Sequence, residues 1–289
     1  KNLLRNTPVQ FVGTCTIGTD HVVEKDLFDF NIKFCSAPGC NAQSVAEYVI
    51  CALLDFANKT NSKLKGKSIG VVGVGNVGSL VANYAKQLDM QVLLNDPPRQ
   101  RKGHPLQFSS FSDILACDFV TLHVPLYKQG VDTTHYLFDA NAISKMQPHA
   151  VLINTCRGSV VNNHDLKSAL LAKTIQAAIL DVWENEPELD SALFDLCFLG
   201  TPHIAGYSYD AKIRGSTMIA AELAHFFHIP LPNYGHIGIP DEPYFNLPIP
   251  VGEEEDILKD ICNLFYNPRI DHLLLKEAIF RPQIGENFD

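Results

Sequence analysis

No stripe of clustered lysine and arginine runs through this 289-residue chain, and its formal charge is −9. Counterion release from a phosphate backbone needs such clusters, so a nucleic-acid surface is excluded. No apolar run approaches the roughly 20 residues of a membrane-spanning helix, and no charged-then-apolar leader is visible, so cytoplasm is the expected compartment and no membrane partner is expected. Cysteines stand at 15, 35, 40, 51, 117, 156, 197 and 262, yet none forms a CxxC pair. Without metal-finger or redox spacing, and mostly in apolar runs, they read as buried free thiols in a reducing compartment. His225 and His228, three apart on a predicted helix, read as surface or packing histidines, and no metal is expected. What remains, with 46% hydrophobic and 19% charged residues, is a soluble globular chain long enough for two domains.

Residues 67–96, KSIGVVGVGNVGSLVANYAKQLDMQVLLND, organise the rest. A buried strand over 69–72 delivers Gly73, Gly75 and Gly78 to a helical pattern of Val77, Leu80, Val81, Tyr84, Ala85 and Leu88, and a second strand over 91–95 ends on Asp96. The first glycine permits a tight turn, the second lets a pyrophosphate approach the backbone, and the third lets helix and strand pack closely. The helix start, with Asn76 and Val77, presents free N–H groups and a positive dipole end to phosphates. Asp96 is placed to accept from the adenosine ribose hydroxyls and repels a 2′-phosphate, favouring NAD over NADP, a preference that Arg99 nearby weakens.

Before this unit come strands over 9–13 and near 32–35, separated by a polar loop at 14–20 and a short helix. Asn41 is placed to cap a helix over 42–57 whose apolar face is Val45, Val49, Leu53 and Phe56. After Asp96, strands over 119–122, 150–154 and 175–180 alternate with helices over 140–146 and 165–172, which predicts a doubly wound parallel sheet. A long helix over 209–227, a proline-rich linker over 230–250 and an amphipathic segment around 257–265 complete the chain.

Ligands of such a sheet bind beyond the carboxyl ends of its strands, which directs attention to His123, to Thr155, Cys156 and Arg157, to the loop from Asp181 to Pro187, and to Thr201, His203 and Gly206. Arg157 can hold a carboxylate bidentately, His203 can exchange a proton near neutrality, and Glu186 can bond the imidazole. That set suits oxidation of a 2-hydroxy acid. Each also has a plain alternative: a surface arginine, a helix-capping histidine, a solvated loop carboxylate. His123 is the second candidate for the base.

The segments FVGTCTIGTDHV, SAPGCNAQSVAEYV, GVVGVGNVG, LLNDPPR, HVPLYKQG, INTCRGSVV, LDVWENEPEL and TPHIAGYS resemble the successive signatures of the NAD-dependent D-2-hydroxyacid dehydrogenases. Within that family SAPGCNA, DPPR and the Trp183 loop resemble the branch that oxidises a small phosphorylated 2-hydroxy acid. The resemblance implies an α/β fold in which a Rossmann doubly wound parallel sheet is inserted in a partial flavodoxin-like substrate domain, with a partial C-terminal dimerisation domain. The corresponding spans are 1–57 for the partial substrate domain and linking helix, 58–206 for the NAD-binding domain, 207–232 for the returning helix and 233–289 for the dimerisation part, and a homodimer is expected.

The same resemblance makes Arg157 the substrate-binding catalytic arginine, Glu186 its histidine's carboxylate partner and His203 the acid/base. It assigns Asp96, Val124, Thr155, Cys156, Arg157, Asp181 and Gly206 to the cofactor, and Thr16 and Tyr207 to the substrate. Val124 stands where a threonine is usual. Tyr207, Lys212 and Arg214 are the local candidates for the substrate phosphate. The family's substrate domain begins upstream of the match to residue 9 and supplies a serine contact, and its dimerisation domain continues further, so a fragment or shortened relative is implied. Such a chain is expected to bind NADH, to oxidise its substrate poorly and to associate through an incomplete sheet. Another family member with a different substrate, and a non-catalytic NAD(H)-sensing module on the same scaffold, are the other readings.

Overall fold

The computed structural model describes residues 3–231 and 252–280. In chain order the first elements are β1 (Phe11–Thr14), α1 (Glu24–Asp29), β2 (Lys33–Ser36), α2 (Ala42–Lys59), β3 (Ser68–Val72), α3 (Asn76–Gln87) and β4 (Gln91–Asn95). Then follow α4 (Pro97–Arg101), α5 (Phe111–Leu115), β5 (Phe119–Leu122), α6 (Ala140–Ile143), β6 (Val151–Asn154), α7 (Asn163–Leu171) and β7 (Ala177–Leu180). The last are α8 (Ser191–Leu196), β8 (Leu199–Gly200), α9 (Tyr209–Phe227), α10 (Glu254–Phe265) and α11 (Pro268–Phe280). The proline-rich stretch expected as a linker lies, apart from its first two residues, outside the described residues.

The chain forms two compact units, one of residues up to Val45 with Gly206 and the helix α9 that follows it, the other of Ala46–Ala205 with the C-terminal helices α10 and α11. In the first, β1 and β2 pair in parallel, Phe11 opposite Lys33. Helix α9 presses on β1 because Gly13 has no side chain: a Cβ there would lie 2.4 Å from Ile219 Cγ2. The Ser208 hydroxyl caps its first turn, accepting from the Ala211 N–H, and His228 ends it in the left-handed conformation at φ 54. Asn41 does not cap α2 with its side chain; its Oδ1 is buried without a partner. Backbone bonds close that turn instead, Ala42 N–H to Gly39 O and Val45 N–H to Asn41 O.

The second unit is a six-stranded parallel sheet in the order β4-β3-β5-β6-β7-β8. Strands β5, β6 and β7 are buried along their whole length, as continuous apolar runs covered on both faces must be. The register is flush: Asn95, Val72, Leu122, Asn154, Leu180 and Gly200 stand level across the sheet. The residues that follow them, Asp96, Gly73, His123, Thr155, Asp181 and Thr201, therefore form one rim. The connection after β3 runs to β4 on one side and the next crosses back from β4 to β5 on the other side of β3, which opens the crevice where such sheets take ligands.

Four helices were not foreseen. Helix α4 starts on Pro97 and Pro98, tolerated in a first turn, behind an Asp96 cap, while α5 and α8 are single turns capped by Ser110 and Asp190. The fourth, α11, with α10 belongs to the sheet unit. Leu275 and Ile279 pack on its core, Arg269 Nε reaches Asp55 at 2.6 Å and Nη1 the Phe198 carbonyl at 2.7 Å. His272 Nδ1 accepts from the Gly200 N–H at 3.0 Å, so α11 covers the otherwise open edge strand β8.

Candidate active site

The glycine turn after β3 is shaped by contact on two of its three positions. Gly73 has φ +85 and a Cβ there would sit 2.5 Å from the His123 carbonyl oxygen, so no side chain fits. A Cβ on Gly78 would come 2.0 Å from the Gly73 oxygen, which is how α3 packs so near its strand. Around Gly75 nothing lies within 4 Å of a Cβ position, and no side chain caps the helix that it begins. The first-turn N–H groups of α3 thus face open space, as a pyrophosphate requires. Asn76 is exposed and Val77 half-buried at that helix start. Asp96 ties the two halves of the turn together: its Oδ2 accepts from the Val74 N–H at 2.9 Å and its Oδ1 from the Arg99 N–H at 3.0 Å. Val124 lies against the same turn, its Cγ1 2.8 Å from a Cβ position on Gly73. These residues fit NAD.

Further along the rim, Asn154 organises the Arg157 loop. Its Nδ2 donates to the Arg157 carbonyl at 2.9 Å and its Oδ1 accepts from the Cys156 N–H at 3.1 Å. Gly158 is indispensable to this geometry although the sequence did not single it out, since a Cβ would fall 1.9 Å from the Trp183 carbonyl oxygen. Burial pushes the Cys156 thiol up to about 11, so it stays neutral. Thr155 Oγ1 lies 3.4 Å from His123 Nδ1, and Thr121 Oγ1 2.9 Å from Nε2. Burial pushes the imidazole of half-buried His123 down to about 3, which disfavours it as a proton exchanger near neutrality.

His203 Nδ1 and Glu186 Oε2 are 2.8 Å apart. The other Glu186 oxygen accepts from the Trp183 N–H at 2.7 Å, which aims the carboxylate. The hydrogen bond to Glu186 holds the His203 imidazole above its ordinary 6.5, against the opposing effect of burial. Burial acts to raise Glu186, but the bonds from His203 and Trp183 with the nearby charges of His203 and Arg157 outweigh it and hold the carboxyl below 4.5. The Arg157 charge thus bears on both members of the pair. His203 itself is left-handed, φ 59, a conformation that surroundings must hold in a residue with a Cβ. Asp181, 1% exposed, spends its carboxylate within the protein, accepting from Thr201 Oγ1 at 2.6 Å, Ile204 N–H at 2.8 Å and Ala205 N–H at 2.9 Å.

Thr16, Gly206 and Tyr207 belong to the other unit. Thr16 Oγ1 donates to the Gly18 carbonyl at 2.8 Å, and a Cβ on Gly206 would meet Asn41 Nδ2 at 2.1 Å. The Tyr207 ring is 70% exposed with Lys212 Nζ 3.7 Å from its centroid. A hydrogen bond with Lys212 holds the phenol below its ordinary value. Arg214 is near enough for its charge to act on the Cys40 thiol.

Residues 53–205 match the family model for the D-isomer specific 2-hydroxyacid dehydrogenase, NAD binding domain. The chain is 39% identical over 292 aligned residues to an erythronate-4-phosphate dehydrogenase of Salmonella arizonae, with 96% of this chain and 74% of that protein covered. The same figures hold for its namesake in Salmonella newport. Among solved structures, the D-lactate dehydrogenase of Aquifex aeolicus, complexed with NAD and lactic acid, superposes with a TM-score of 0.64 at 25% identity, covering 79% of this chain and 80% of that one. The NAD-dependent formate dehydrogenase of Staphylococcus aureus, in complex with NAD, does so with 0.65 at 27% identity, covering 76% and 73%. With the family model matched across the sheet unit and these relatives covered over most of their length, the chain belongs to the D-isomer specific 2-hydroxyacid dehydrogenases, NAD-dependent oxidoreductases acting on a CH–OH group.

Proposed function

We propose that this chain oxidises 4-phospho-D-erythronate at C2 with NAD, giving (R)-3-hydroxy-2-oxo-4-phosphooxybutanoate, a step of vitamin B6 biosynthesis in the cytoplasm. The 39% identity to erythronate-4-phosphate dehydrogenases supports the substrate. The observation that carries the chemistry is the 2.8 Å pair of His203 and Glu186 on the rim beside the Arg157 loop. Bound at the glycine turn, NAD supplies the acceptor for the hydride from C2.

The residues do the rest. With Nδ1–H donating to Glu186, His203 carries its free lone pair on Nε2, the atom that takes the hydroxyl proton. The Glu186 carboxylate then stabilises the imidazolium. The Arg157 fork holds the substrate carboxylate and polarises the developing carbonyl. Thr16 and Tyr207 are proposed as further substrate contacts, and Tyr207, Lys212 and Arg214 for the phosphate. Exposed Leu264, Phe265, Ile270, Leu273 and Leu274 on α10 and α11 support a homodimer.

The substrate reading is tested by assaying NADH formation from 4-phospho-D-erythronate, D-erythronate, 3-phospho-D-glycerate and D-lactate. The phosphorylated four-carbon acid should give the highest kcat/KM; a higher value for any of the others overturns it. Arg157→Lys, which replaces a planar fork by a point charge, should raise KM for the acid about tenfold or more while NADH affinity is unchanged. Asp96→Ala loses an acceptor for two N–H groups and for the ribose, and should weaken NAD binding about tenfold while narrowing the gap to NADP. Fluorescence titration with NADH and NADPH reads this, and equal affinities before and after the change would remove Asp96 from the site.

A further inference from the structure

Tyr48 sits in α2, a helix so far given no part in the site, yet it is 2% exposed and its hydroxyl is hydrogen-bonded. The partner is Thr201 Oγ1 at 2.7 Å, and Thr201 Oγ1 donates onward to Asp181 Oδ1 at 2.6 Å. The Thr201 hydrogen is committed to the carboxylate, so the Tyr48 hydroxyl must be the donor to Thr201. A string with one direction results, from tyrosine to threonine to carboxylate, and Thr201 is 0% and Asp181 1% exposed.

The string ends at the histidine loop. Asp181 accepts from the N–H groups of Ile204 and Ala205 through its side chain and from that of His203 through its carbonyl, at 2.7 Å. Three consecutive N–H groups, the first of them on a residue held at φ 59, are therefore gathered on one buried aspartate. The Thr201 carbonyl also accepts from Trp183 Nε1 at 2.9 Å, which joins the string to the loop carrying Glu186. A tyrosine serving only to fill the core would leave phenylalanine as good a choice; here its hydroxyl is the outermost donor to the group that holds the histidine.

We propose that Tyr48 is a positioning residue for His203, acting through Thr201 and Asp181 to hold the left-handed turn in which the imidazole meets Glu186. This rests on the reading of His203 as the acid/base. The charged and titratable groups around His203 are Glu186, Asp181 and Arg157, and those around Tyr48 are Asp181, Tyr266 and Asp271. Asp181 adds to the charge that favours the imidazolium, so weakening the string weakens that support.

The test compares Tyr48→Phe, Thr201→Val and Thr201→Ser with the unaltered chain. Two readouts are taken: the His203 titration midpoint by NMR of the imidazole without substrate, its signal identified by its loss in His203→Asn, and kcat and KM where turnover is measurable. Tyr48→Phe and Thr201→Val should each shift the midpoint downward and lower kcat about tenfold, with NADH affinity within about twofold. Combining them should cost no more than the worse single change, because one string is cut twice. Thr201→Ser keeps the hydroxyl and should restore both values. A Tyr48→Phe protein with a lowered Tm but an unmoved His203 midpoint and unchanged kcat would make Tyr48 a core residue and overturn the proposal. Since the titration needs no substrate, failure to turn over 4-phospho-D-erythronate defeats the substrate reading and leaves this one decided by the midpoint.

Discussion

His203→Asn should lower turnover by roughly 10²-fold or more while leaving NADH affinity near its original value. Asparagine keeps much of the size and one hydrogen bond toward Glu186 but cannot take a proton near neutrality. His123, whose imidazole is pushed down to about 3, is a poor substitute for it. The companion change, Glu186→Gln, acts through pH. His203 is held above 6.5 by its bond to Glu186, and oxidation needs the neutral imidazole, so kcat/KM for oxidation should climb with pH through that raised value. Removing the carboxylate's charge lowers the imidazole, and the rising limb should move to lower pH with a reduced plateau. Reduction of the keto acid, which needs the imidazolium, should show the opposite limb. A profile that does not move with Glu186→Gln would detach Glu186 from the proton transfer.

The pair also ties stability to pH. His203, raised in the folded state, contributes stability that is full below 6.5 and lost as pH rises through its folded value. Glu186, depressed, contributes above 4.5 and loses that as pH falls through its folded value. Both contributions are complete only between 4.5 and 6.5. His203 is 48% and Glu186 33% exposed, so solvent screens the pair and the effect on Tm is small beside the effect on the rate.

The sheet was legible because its information is local. A short continuous apolar run bounded by glycine or a polar residue is consistent with a strand of a parallel sheet, and β4 and β5 fall on the residues that their runs mark. The position of the site followed from that, since ligands gather at strand ends and the flush register puts Asp96, Gly73, His123, Thr155, Asp181 and Thr201 on one rim. What could not be read depends on elements far apart in sequence. Gly158 looks like any loop glycine until the Trp183 carbonyl is brought against it. Tyr48 looks like one more apolar position of a helix until Thr201, 153 residues later, meets its hydroxyl. Asn41 has the composition of a cap, but the turn at Gly39 closes by backbone bonds, and the Asn41 amide nitrogen lies where a Gly206 side chain would be. The fate of α11 was hidden for the same reason: its attachment to β8 is made by Arg269 and His272 to backbone carbonyl and amide groups, which leave no mark on the sequence of the strand.

Gly78→Ala and Gly75→Ala should both abolish or greatly weaken NADH binding, for reasons that a thermal melt tells apart. At Gly78 a methyl group would stand 2.0 Å from the Gly73 carbonyl oxygen and 3.2 Å from Val71 Cγ1. The nearer of these is backbone, in a turn that also supports His123 and the Asp96 contact, so it has no flexible end to swing aside. Helix α3 must move off β3, at a cost of about 1–3 kcal/mol of overpacking, which should appear as a lowered Tm together with the lost affinity. At Gly75 the space is open, and a methyl group disturbs nothing in the free protein beyond the cap preference for glycine over alanine, about 1 kcal/mol or less. It would stand where the pyrophosphate approaches the backbone, so NADH affinity should fall more than tenfold with the melt nearly unchanged. Fluorescence titration beside calorimetry on the same two proteins separates the roles. A Gly75→Ala protein that binds NADH as tightly as the unaltered chain would place the pyrophosphate elsewhere on the rim, and a Gly78→Ala protein with full stability would show that α3 has room to withdraw without disturbing the turn.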